Sequence, residues 1–280
     1  MDMTQNKCCR HGASLRRRRR RRRKILRSII FSCSIIAVAV FVAVGSRMIT
    51  SGDGGTNKYD VEAGNNTYDN AVIENSKISE KNKIQNNQSM LDDIMNSTQY
   101  PKQLKELALK NEEALEFVYD YPAEHVKEHT IDLTEEASMD SVPLFVQWDK
   151  RWGYEKYSGN FFAASGCGPT TLSMVVVYLT HNRDASPIAV AKYSKEAGYS
   201  VDGSGSSWTL ISEGCMHYGV KAKAVALDES RMKAELDEGH PIVVNVGPGD
   251  FTDTGHFMVI TGYDDEGFSI NDPNSIEKSG

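Results

Sequence analysis

One thiol stands out among the residues able to do chemistry in this chain. Cys167 lies in Ser165-Gly166-Cys167-Gly168-Pro169-Thr170-Thr171, directly ahead of the apolar run 172–179. Leu172, Val175, Val176 and Leu179 fall at i, i+3, i+4 and i+7, the spacing of one helix face. The spacing predicts a helix starting near Cys167 with Pro169 in its first turn, where a missing N–H costs little. A sulfur placed there meets the positive end of the helix dipole and unpaired backbone N–H groups, and both favour thiolate. Gly166 and Gly168 would keep it open to a substrate. The competing reading is a small apolar thiol packed at a helix start.

A nucleophilic thiol needs a base to take its proton and a third group to orient that base. His256 opens the β-branched and apolar run Gly255-His256-Phe257-Met258-Val259-Ile260-Thr261-Gly262-Tyr263, which reads as a buried strand. The turn Asp264-Asp265-Glu266-Gly267 follows, then a second strand, Phe268-Ser269-Ile270-Asn271, running into Asp272-Pro273. Two strands joined by a short acidic-glycine turn pair as an antiparallel hairpin. Their outer ends therefore lie side by side, which brings the Asp272 carboxylate to the His256 imidazole. The other histidines fit solvated or capping roles: His11 in a cationic arm, His125 and His129 in a polar connector, His181 after a helix end, His217 late in a helix and His240 before a proline. Against this stand a structural His at a strand start and an Asp that forms a turn before Pro273.

A fourth residue, Gln147 in Pro143-Leu144-Phe145-Val146-Gln147-Trp148-Asp149, carries an amide suited to binding an oxyanion beside the backbone N–H of the nucleophile. Taken alone, a loop glutamine needs no such role.

The order Gln147, Cys167, His256, Asp272 is similar to that of papain-like cysteine peptidases. Four stretches resemble one branch of that group, the bacteriocin-leader (double-glycine) peptidases and their stand-alone C39-like relatives. They are 142–149 with Arg151-Trp152-Gly153, Gly166-Cys167-Gly168-Pro169-Thr170, Gly255-His256-Phe257, and Asn271-Asp272-Pro273-Asn274. The resemblance covers about residues 141–280. It implies a papain-like α+β fold with Cys167 as nucleophile, His256 as base, Asp272 as its orienter and Gln147 in the oxyanion hole, acting on a peptide or protein substrate. No metal or cofactor is expected. It also implies a further segment beyond 271–274 that closes the domain, so the end at Ser279-Gly280 reads as an incomplete domain. Leader-cleaving members are fused to an export ATPase, whereas this chain has no glycine-rich phosphate loop. Two other activities share the same residues: a catalytically inactive surface module that binds peptides or cell-wall material, and a thiol amidase or acyl transferase acting on the wall.

The net charge of -6 hides a division along the 280 residues. Residues 1–27 hold 12 of the 32 Lys+Arg and one of the 38 acids, a net of +11; the remaining 20 and 37 leave -17 for residues 28–280. Eight consecutive arginines, 16–23, end next to a stretch rich in Ile, Val, Ala and Phe. A membrane helix needs about 17–25 apolar residues, and 25–44 fits. Cationic flanks stay cytoplasmic, which orients the chain with its N-terminus inside and the thiol domain outside. A cleaved signal peptide is the rival, with 43–46 as its small-residue cleavage region. Nucleic-acid binding by the arm ranks behind both. Five cysteines give no disulfide pattern and no metal-ligand spacing. Cys215 reads as a buried core thiol.

These features divide the chain into a cytoplasmic Arg-rich arm (1–27), a transmembrane signal-anchor (28–46), a flexible extracellular linker (47–98), a short helical collar (99–139) and a peptidase-like domain (140–280). Two collar helices are expected at 101–109 and 112–118, the second capped by Asn111. Within the domain, helices are expected at 187–197, capped by Ser186, and up to 238, capped by Asp228. Residues 200–207 read as a mobile loop, and 220–227 and 242–246 as strands. Helices first and strands later make an α+β domain.

Overall fold

The computed structural model describes residues 66–280, with side chains from residue 79 onward. The expected arm at 1–27 and membrane segment at 28–46 lie outside the described residues. Among the described residues no helix is long and apolar enough to cross a membrane.

Residues 71–280 form one unit. Helix α1 spans Asn66–Asn96, so the later part of the expected flexible linker is helical instead. Its sequence is polar but holds neither glycine nor proline, so nothing interrupts backbone hydrogen bonding. Near its end Met90, Leu91 and the fully buried Ile94 give it an apolar anchor. α2 (Lys102–Lys110) buries Leu104, Leu107 and Ala108. Asn111 then caps a 3-10 turn at Glu112–Ala114 by accepting from the Glu113 N–H, as the sequence predicts. α3 (Leu115–Tyr119) buries Leu115, Phe117 and Val118. These side chains close over Phe161 and Ala163, with Trp148 and Tyr154 at the edge, to make a core of their own.

Two short strands, β1 (Lys156–Tyr157) and β2 (Asn160–Phe161), pair ahead of α4 (Cys167–Thr180). The 3.6 spacing predicts an apolar stripe on α4, but every residue of 168–177 is buried, while Leu179 at the end is exposed. A helix covered on all sides is the central element of its domain. α5 (Pro187–Glu196) lies against it, capped by Ser186. The loop expected at 200–207 folds into a small hairpin of β3 (Ser200–Val201) and β4 (Gly205–Ser206), helped by Gly203 and Gly205 at positive φ.

Residues 220–227 form no strand. Most of them are exposed, and alternation without a neighbouring strand leaves no ladder to join. α6 (Glu229–Asp237) is capped by Asp228 as expected. The sheet is antiparallel, β5 (Ile242–Val246), β6 (His256–Asp264) and β7 (Gly267–Asn271), in the order β5-β6-β7. Phe257 and Val259 face the core built on α4, while Ile260 and Ile242 join Met232 and Leu236 of α6. Helix covers both faces of the sheet, and mixed helix with antiparallel sheet is the expected α+β class.

Candidate active site

Cys167 is the first residue of α4, with Gly166 as its N-cap, and remains partly exposed. The two flanking glycines serve packing rather than openness. A Cβ on Gly166 would lie 2.6 Å from the Phe162 ring, and one on Gly168 would lie 2.6 Å from Ser206 Oγ. The turn carrying Cys167 is thus pressed between a single helical turn at Phe162–Ser165 and the strand β4. Ser206 also meets the Tyr157 hydroxyl at 2.6 Å, which in turn meets Ser194 at 2.8 Å.

His256 opens β6 opposite Val246, and Asp272 follows the last residue of β7. The β6–β7 ladder pairs Val259 with Asn271, with an irregularity between Ile260 and Gly262. Carrying that register one step outward puts Asp272 across from Met258, on the same face as His256 two residues along. Diagonal neighbours of this kind are within reach of long side chains. His256 Nε2 donates to Asp272 Oδ1 at 2.7 Å, and both side chains are buried. The ring nitrogen left over, Nδ1, is the one available to the thiol.

Burial is the largest influence on the imidazole and pulls its pKa down. Hydrogen bonds to Asp272 and to Cys167, with the charges of both, outweigh it and lift His256 from 6.5 to about 9. The imidazole is therefore bonded to the carboxylate and within hydrogen-bond reach of the thiol. Cys215 is buried as expected, and burial pushes its thiol up. Among the other described histidines, His125 meets the Tyr121 carbonyl, His181 the Ala137 carbonyl and His240 Glu235, while His217 stacks on Tyr193.

Gln147 lies close to this group but is committed elsewhere. Its Nε2 donates to the Ala163 carbonyl at 2.7 Å and to Asn274 Oδ1 at 3.3 Å, which uses both amide protons. Its Oε1 is buried without a partner. Gln147 N–H bonds the Pro273 carbonyl at 2.7 Å, tying this loop to the turn that carries Asp272. Asn274 N–H also donates to Asp272 Oδ1 at 2.7 Å, so that oxygen holds two donors. Trp208, half exposed, stacks on Phe257 next to His256. The sequence does not single out Ser206, Trp208 or Asn274 for such placement; of the three, only Asn274 falls inside a quoted motif.

A thiol at a helix start, a buried imidazole beside it and a carboxylate behind that are brought together on an α+β domain. The family model described as the peptidase C39 like family matches residues 139–280, half of the chain, and the protein belongs to that family. No curated protein and no solved structure matches the chain.

Proposed function

We propose that this protein is a cysteine peptidase that hydrolyses peptide bonds through an acyl-thioester on Cys167. One observation carries the reading: a buried imidazole, bonded to a carboxylate on one side and within reach of a thiol at a helix N-terminus on the other. Asp272 and Cys167 push His256 up to about 9, which favours the imidazolium at neutral pH beside the Cys167 sulfur.

The steps follow from that charge state. The Cys167 sulfur attacks the carbonyl carbon, and the C=O π pair moves onto oxygen. As the C–N bond breaks, the His256 imidazolium passes its Nδ1 proton to the departing amine, which leaves a thioester and a neutral imidazole. His256 then takes a proton from water, the hydroxide adds to the thioester carbon, and the acid leaves as the thiolate–imidazolium pair is restored. Asp272 holds the ring and offsets its charge throughout. Gln147 joins the Cys167 backbone N–H in binding the oxyanion after giving up its longer bond to Asn274. Catalytic hydrogen bonds of this kind often tighten only in the substrate complex.

The Arg-rich arm and the apolar stretch at 28–46 support a membrane-anchored enzyme with its peptidase domain outside the cell. The peptidase reading is tested by incubating the 89–280 piece, beside its Cys167→Ala form, with a peptide library and with purified cell-wall fragments. Cleavage of peptides by the first alone is expected. Equal cleavage by both ends the proposal, and turnover confined to wall amides assigns the amidase activity instead.

A further inference from the structure

The turn that carries Asp272 is held from outside the family-matched region. Glu113, in the collar, accepts from Ile276 N–H at 2.7 Å and Glu277 N–H at 3.1 Å, and from the Ser275 hydroxyl. Two residues earlier, Asn111 Nδ2 donates to the Asn274 carbonyl at 2.8 Å and to Asn274 Oδ1 at 3.1 Å. That same Oδ1 accepts from Gln147, and the Asn274 N–H bonds the Asp272 carboxylate. A continuous path of hydrogen bonds therefore runs from the collar to the carboxylate that orients His256. Backbone placement gives it stiffness: Asn111 also caps its own 3-10 turn through the Glu113 N–H, and α2 and α3 on either side are packed into the second core.

Resting on the peptidase reading above, we propose that Asn111 and Glu113 are positioning residues for the Asp272–His256 pair. The turn at 272–279 has few apolar anchors. Ile276 is exposed, and most of the turn's contacts are hydrogen bonds among Asp272, Ser275, Ser279 and the collar. The Glu113 carboxylate, held between α2 and α3, accepts three of the turn's backbone and hydroxyl donors and so fixes the turn in one conformation. Without those acceptors Asp272 can drift from the ring, and a misplacement of about 1 Å costs on the order of a hundredfold in rate.

The test reads the ion pair directly. The full-length chain is alkylated with iodoacetamide between pH 5 and 10, and labelling of Cys167 is followed by site-resolved mass spectrometry. The groups facing the imidazole are Cys167 and Asp272, with Tyr157 near the thiol. In the wild type, Cys167 should be alkylated faster near pH 6 than in His256→Ala, because the imidazole lies within hydrogen-bond reach of the sulfur. Glu113→Ala and Asn111→Ala should each lower the rate near pH 6 by on the order of tenfold while leaving the rate at pH 10 unchanged. Glu113→Gln keeps one acceptor oxygen and should recover part of the loss. Thermal melts of each variant separate unfolding from misplacement. Folded variants with an unchanged ratio of low-pH to high-pH rates overturn the positioning role alone. A wild type with no low-pH reactivity, or one unaffected by His256→Ala, overturns the peptidase reading and this inference with it.

Discussion

His256 sits between opposing pulls, and the balance sets how the protein responds to pH. Burial favours the neutral ring, while Asp272 and Cys167 favour the cation and win, giving a value of about 9 against 6.5 in an unfolded chain. A pKa raised by folding means that the folded state binds the proton more tightly. The contribution to stability is therefore complete below 6.5 and disappears as pH rises through about 9. Urea titrations between pH 6 and 10 should show stability falling across that window, with the slope much reduced in His256→Gln; equal slopes in the two proteins would refute the assignment. At Gln147 the expected loss is catalytic. Removing one oxyanion donor costs about 2.7–4 kcal/mol, a drop in kcat of roughly 100- to 1,000-fold. Gln147→Ala also takes away a bond to Asn274, so a Gln147→Glu form is the sharper comparison: it keeps the volume while replacing a donor with an acceptor. Near-normal kcat in Gln147→Glu would remove Gln147 from the oxyanion hole.

At the scale of elements, the turn carrying Cys167 depends on two close approaches. Gly168 meets Ser206 of β4 so tightly that a methyl group would overlap both Ser206 Cβ and Oγ. Gly168→Ala should destabilise by about 1–3 kcal/mol, as overpacked cores do. Ser206→Gly in the same chain should recover most of that loss, and a double-mutant cycle by chemical denaturation measures it. Additive effects would mean that the strain lies elsewhere. This contact also marks where sequence reading stops. The caps at Asn111, Ser186 and Asp228 are legible because each is a side chain bonding a backbone N–H two or three residues away. The His256–Asp272 pair is legible for a similar reason, since a hairpin is local and its outer ends must meet. The strand expected at 220–227 fails because alternation describes a half-buried surface and supplies no partner strand. Gln147 looks like a free loop amide in the sequence, since its partners Ala163 and Asn274 lie 16 and 127 residues away. Nothing near Asn111 or Glu113 announces their bonds to residues 274–277 either.

For the whole molecule, the boundary of the family match and the boundary of the folded unit differ. The match begins at residue 139, yet Phe161 and Ala163 within it are buried by side chains from 90–118. Ile94, Leu104, Leu107, Leu115, Phe117 and Val118 all lie in this second core. At about 1.5–3 kcal/mol for each buried side chain, they contribute on the order of 10 kcal/mol before the cost of ordering the helices. Net stabilities of domains are about 5–15 kcal/mol, so such a loss is not a trimming of the edge. Tyr154 is bound into the same layer, stacked on Phe117 at 4.2 Å with its hydroxyl donating to the Phe117 carbonyl at 2.7 Å. The 139–280 piece should therefore melt without a sharp transition and bind a hydrophobic dye, whereas the 89–280 piece should melt cooperatively. Ile94 separates anchoring by the end of α1 from a passive extension. Ile94→Ala should cost about 2–5 kcal/mol, and deleting α1 up to residue 88 should leave the melting temperature unchanged. If the 139–280 piece melts as sharply and as high as the longer one, the collar is an attachment to an independent domain and its layer of buried side chains adds no net stability.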